Sequence, residues 1–100
     1  MTDYFISRHE GAREFAKCHL PEAIISNMLD LDILRPRDRV YGILPIDLAA
    51  KVCAKGASFF ALVFDRTGYA RGSEMSVDEM VKRGAHLVPF HVAELSKQVR

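Results

Sequence analysis

The chain has almost no excess charge: 14 Lys and Arg stand against 13 Asp and Glu, a net of +1 over 100 residues. That balance excludes a general electrostatic clamp for long DNA or RNA, which needs a strongly basic surface. It leaves room for a small anion, because a few arginines gathered in one cleft can hold a phosphate without altering the total. Weak self-repulsion also suits association into an oligomer. Cysteine is scarce as well, and Cys18 and Cys53 have no metal-ligand spacing. Both are expected to be reduced structural thiols, buried within helices. No apolar run approaches the roughly 20 residues of a membrane span. The amino terminus lacks the basic start and apolar core of a signal peptide, so a cytoplasmic location is expected. The 49% apolar content predicts a single folded domain over residues 1–100.

What is present alternates between strand and helix patterns. Tyr4–Ser7 reads as a first strand, followed by a helix over Gly11–Cys18 with Ala12, Phe15 and Ala16 at helical spacing. Pro21 ends it. Residues 24–34 fit either a short helix or a buried strand around Ile24–Leu29. Arg39–Leu44 reads as a strand, and Pro45 opens a helix at a favoured first-turn position, with Gly56 capping its end. Ala57–Phe64 is nearly all apolar, the signature of a central strand covered on both faces. A polar loop over Asp65–Glu74 leads to a capping box, Ser76 with Glu79, and a helix through Lys82 that Gly84 terminates. Ala85–Val92 is a last strand, which Pro89 places at an edge or a bulge; the tail after Glu94 reads as helical or frayed. This order predicts an α/β fold, a three-layer Rossmann-like domain with a mainly parallel sheet.

In such a sheet, ligands gather at the carboxyl ends of the strands. The loops expected there are Ser7-Arg8-His9-Glu10-Gly11, Gly42-Ile43-Leu44-Pro45 and the stretch from Asp65 to Glu74. Arg8, Arg66 and Arg71 offer fork-shaped donors to phosphoryl oxygens. Gly11 and Gly42 permit close backbone approach, and the helix starts behind them present free amides. His9 can transfer a proton near neutral pH, and Asp65 or Glu74 can orient it or receive a ligand hydroxyl or amine. Against these stand plainer readings: Asp65 as a turn cap, Arg71 with Glu74 as a loop ion pair, and Tyr69 as a loop anchor rather than a stacking platform. His19, His86 and His91 read as structural or solvent-facing and make no metal set. The Arg8-His9 pair evokes histidine phosphatases, but Glu10 interrupts their Arg-His-Gly order. The first loop is no P-loop either, since it holds one glycine and no Gly-Lys-Ser/Thr.

Several ordered blocks together carry a family likeness: Arg8-His9-Glu10-Gly11-Ala12 with Phe15-Ala16, Asp38-Arg39-Val40-Tyr41-Gly42-Ile43-Leu44-Pro45, Leu48-Ala49-Ala50 with Val52 to Ala57, and Arg71 to Ser76. Across most of its length the chain resembles small CRISPR-associated proteins found beside type III systems. The resemblance implies a minimal CRISPR-associated Rossmann-fold (CARF) sensor domain that pairs as a two-fold dimer and holds a cyclic oligoadenylate. It further implies a ring nuclease that linearises cyclic tetra-adenylate and switches the response off. The implied reaction, attack of a ribose 2′-hydroxyl on the adjoining phosphate, needs neither metal nor cofactor. Arg8 and Arg71 then form the phosphate clamp and His9 acts as base or acid. Ser7, Gly42, Leu44 and Pro45 are expected to shape the floor beneath the ring and Asp65, Tyr69 or Glu74 to contact the adenines, with Gly11 and Gly72 as further ligand-binding residues. No membrane and no long nucleic acid is expected as partner. The alternatives are a protein that sequesters the ring uncut, or a structural interaction domain.

Overall fold

The computed structural model describes residues 1–65 and 76–95. Its strands are β1 (Asp3–Ile6), β2 (Ile24–Ser26), β3 (Arg39–Gly42), β4 (Ser58–Val63) and β5 (His86–Phe90), and its helices are α1 (Glu10–His19), α2 (Ile46–Ala54) and α3 (Val77–Lys82). The five strands form one sheet in the order β2-β1-β3-β4-β5. β2, β1, β3 and β4 run parallel. β5 is antiparallel to β4 and lies at the edge, with Pro89 opposite Phe60. An edge strand needs ladder bonds on one side only, which is where proline is tolerated.

Alternation along the strands divides the core between the sheet's faces. Phe5, Tyr41 and Leu62 face α1 and α3, packing with Ala12, Phe15, Ala16 and Met80. Ile6, Val40 and Phe59 face the other way, onto Ala49 and Val52 of α2. The result is three layers, α1 with α3, the sheet, and α2. A right-handed crossover to the left of β1 and another to the right of β3 must put their helices on opposite faces. Tyr41 stacks on Phe60 with ring centroids 4.7 Å apart, and burial, above all, pushes its phenol above the ordinary value.

The ambiguous segment resolves as a three-residue strand, not a helix. Tyr4, Phe5 and Ile6 pair with Ile24, Ile25 and Ser26, and β-branched Ile24 and Ile25 suit that pairing. Beyond it the chain turns, with Asp30 Oδ1 accepting from the Asp32 amide at 3.0 Å. Other expectations shift by a residue or two. Pro45 is the N-cap of α2 rather than its first helical residue. Cys18 lies in α1 but is exposed rather than buried. The capping box forms by half: Ser76 Oγ accepts from the Glu79 amide at 3.1 Å, while the Glu79 carboxylate turns to Arg83, 3.4 Å away.

At the amino ends of the strands, Asp38 is buried and ties the chain together. Its carboxylate accepts from the Thr2 amide at 2.9 Å and the Arg35 amide at 2.9 Å. The Arg35 bond is the main reason its carboxyl is held below the ordinary value; burial opposes it and the Thr2 bond assists. This is a bracing feature at the end of the sheet away from the cleft described next.

Candidate functional site

Where the strand order reverses, between β1 and β3, the chains leave the sheet in opposite directions and open a crevice. A cleft of about 560 Å³ lies there. Its polar rim is Ser7, Arg8 and His9, from the turn between β1 and α1, and Asn27, from the loop after β2. Gly42, Ile43, Leu44 and Pro45 close the other side, and Phe5, Leu48, Leu62, Phe64 and Met80 contribute an apolar floor. A mostly apolar concavity with few convergent polar groups is the usual form of a small-molecule site.

The first turn is short and ordered by its own hydrogen bonds. Ser7 N donates to Ser26 O at 2.9 Å, extending the β1–β2 ladder by one residue. Ser7 Oγ accepts from the His9 amide at 3.1 Å, folding the turn so that Arg8 and His9 are exposed at the mouth. His9 is the N-cap of α1, with extended backbone and no side-chain bond to the first turn. The opening amides of α1 receive no cap from the His9 side chain and lie at the positive end of a ten-residue helix. Arg8 adds a full positive charge beside them. Together these favour an anion.

Gly42 makes the close approach of β1 and β3 feasible. It pairs with Ile6, has φ +138°, and a Cβ there would stand 2.5 Å from the Ile6 carbonyl oxygen. Any side chain would push the strands apart at the point where the cleft opens.

Of the residues proposed from sequence, Ser7, Arg8, His9, Gly42, Leu44 and Pro45 come together in the cleft. Gly11 lies in the first turn of α1 but is buried and lines no part of the cleft. Asp65 is placed elsewhere: its Oδ1 is 3.6 Å from His86 Nδ1, and its side chain packs on Gly84. Arg66, Tyr69, Arg71, Gly72 and Glu74 lie outside the described residues. Sequence reasoning missed Asn27, Met28 and Leu29 as lining residues, together with Arg13, whose Nη1 donates to Asn27 Oδ1 at 2.6 Å. Their signal was there in the strand reading of residues 24–29, since the residues after a parallel strand face the same crevice as those after its neighbour.

Residues 4–93 match the protein family described as "Putative CRISPR-associated protein (Cas_VVA1548)". The chain belongs to this CRISPR-associated family. The match runs from β1 through β5 and so takes in every described cleft residue. No curated protein and no solved structure matches the chain. Among the described residues, no helix is long and apolar enough to cross a membrane.

Proposed function

We propose that this CRISPR-associated protein is a ring nuclease, which binds cyclic tetra-adenylate and cuts it by internal transesterification. The observation that carries the reading is the cleft at the β1/β3 reversal, where Arg8, His9 and the uncapped start of α1 meet. In the proposed step a ribose 2′-oxygen attacks the neighbouring phosphorus. The P–O2′ bond forms, the P–O5′ bond breaks, and the products are a 2′,3′-cyclic phosphate and a 5′-hydroxyl. The 2′-hydroxyl loses a proton and the leaving 5′-oxygen gains one, and His9 is the cleft group suited to proton transfer. Arg8 and the α1 amides stabilise charge on the phosphoryl oxygens. Arg71, outside the described residues, is proposed as the second clamp.

The site is proposed to be completed by a second copy. A cleft of about 560 Å³ is of the size that holds one drug-sized molecule, and four linked nucleotides are much larger. Met28 and Ile43 line the cleft and are exposed by 77% and 67%, and Ile46, next in the chain to the lining residue Pro45, is exposed by 76%. Apolar side chains grouped at the rim of a polar site suit a protein interface. A two-fold axis beside the mouth would place two clefts against a ring that can itself adopt two-fold symmetry.

The test is a turnover assay with protein at low concentration and excess cyclic tetra-adenylate, in the presence of a chelator. Many turnovers into linear products with cyclic-phosphate ends are expected. Recovery of the intact ring in stoichiometric complex would establish sequestration instead, and no binding at all would end the reading.

A further inference from the structure

The loops after β1 and β2 are joined by a single side chain. Arg13 lies in α1, one turn beyond the N-cap, its amide donating to His9 O at 3.0 Å. Its Nη1 donates both to Ser7 O, at 3.2 Å, and to Asn27 Oδ1, at 2.6 Å. Ser7 in turn receives the His9 amide on its hydroxyl. One guanidinium thus braces the lip that bears Arg8 and His9 against the lip that bears Asn27.

This arrangement dictates which way the Asn27 amide faces. A guanidinium carries donors and no acceptor, so only the carbonyl oxygen of Asn27 can lie against it. The Nδ2 group, with two N–H donors, is then turned away from Arg13. Asn27 is exposed and lines the cleft. We propose that Arg13 is a positioning residue that fixes Asn27 with its amide nitrogen towards the cleft, where Asn27 donates to a phosphodiester oxygen of the ligand. Without Arg13 the amide would rotate, and half of its orientations would set a carbonyl oxygen against an anion. The proposal rests on the phosphodiester reading of the cleft given above. It adds a neutral donor on the β2 side to the charged donor on the β1 side.

Two measurements test it. Affinity for fluorescent cyclic tetra-adenylate is compared for wild type, Asn27→Ala, Arg13→Met and the double variant. Loss of one donor to a charged acceptor predicts about tenfold weaker binding for Asn27→Ala. A several-fold loss is expected for Arg13→Met, and the double variant should be no weaker than Asn27→Ala alone. The salt dependence of binding should stay at its wild-type slope in Asn27→Ala and become shallower in Arg8→Ala, because only the charged donor releases counterions. Unchanged affinity in Asn27→Ala, or additive losses in the double variant, overturns the proposal. The second measurement needs no ligand: in folded protein, the Asn27 side-chain amide resonances should move on Arg13→Met. Arg13→Gln serves if the methionine variant fails to fold. Resonances that stay in place overturn the positioning role. If they move while wild type binds no ring, the functional reading fails and Arg13 still orients Asn27, but the phosphodiester contact is overturned.

Discussion

Arg8 and His9 are neighbours in sequence, and the proposed reaction gives them separable tasks. A positioned proton-transfer group contributes about 10²–10⁴-fold to rate. His9→Ala should therefore lower the cleavage rate by that order while ring affinity stays within a few fold. Arg8→Ala should weaken affinity as well as rate, because a phosphate clamp acts in the ground state too. Single-turnover rates set beside binding constants check both, and a His9→Ala enzyme of full rate would remove His9 from the chemistry. Gly42 is a different kind of position. Its φ of +138° and the 2.5 Å from a virtual Cβ to the Ile6 carbonyl predict that Gly42→Ala costs about 2 kcal/mol or more in urea unfolding. Asp38 supplies a pH signature. Its carboxyl is held below the ordinary 3.8, chiefly by the Arg35 amide. The folded state therefore gains stability that is fully present above the ordinary value and lost as pH falls through the lowered one. Unfolding free energies measured across the acid range should show this decline in wild type, and Asp38→Asn should flatten it.

At the scale of elements, the strands and helices with one consistent period were legible and the others were not. α1 could be read from Ala12, Phe15 and Ala16, which it buries together with Gly11. β4 could be read from its apolar run, because a strand between two others with helices on both faces has no solvated side to mark with polar residues. β2 could not. Ile24, Ile25, Met28 and Leu29 satisfy both periods, and its strand form is settled by pairing with β1, an interaction between residues about 20 apart in the chain. That one undecided element also hid Asn27 and Arg13. α3 was announced by its cap, Ser76. It is a six-residue helix, too short to be stable from propensity alone. Loss of the Ser76 cap in Ser76→Ala should lower unfolding free energy by about 1 kcal/mol, read from chemical denaturation.

For the whole molecule, the near-zero net charge and the exposed Met28, Ile43 and Ile46 bear on assembly. The proposed dimer predicts that Ile43→Asp with Ile46→Asp shifts sedimentation to the monomer and abolishes turnover, while far-ultraviolet circular dichroism is unchanged. A fully active monomer would break the link between the rim and the site. The chain by itself determined the alternation of strands and helices, the α/β class and the turn that carries Arg8 and His9, because each rests on local periodicity, capping or adjacency. The likeness to CRISPR-associated proteins was legible in its ordered blocks. Tertiary structure alone decided that β2 flanks β1 on the side away from β3, and that β5 turns antiparallel. It also decided that Asn27 sits beside Ser7, joined to it through Arg13, on one side of a cleft that Gly42 lines, and that Asp65 lies against His86 instead. These depend on which strand edges meet and which loops they bring together. Such contacts join residues far apart in the chain, and no local pattern encodes them.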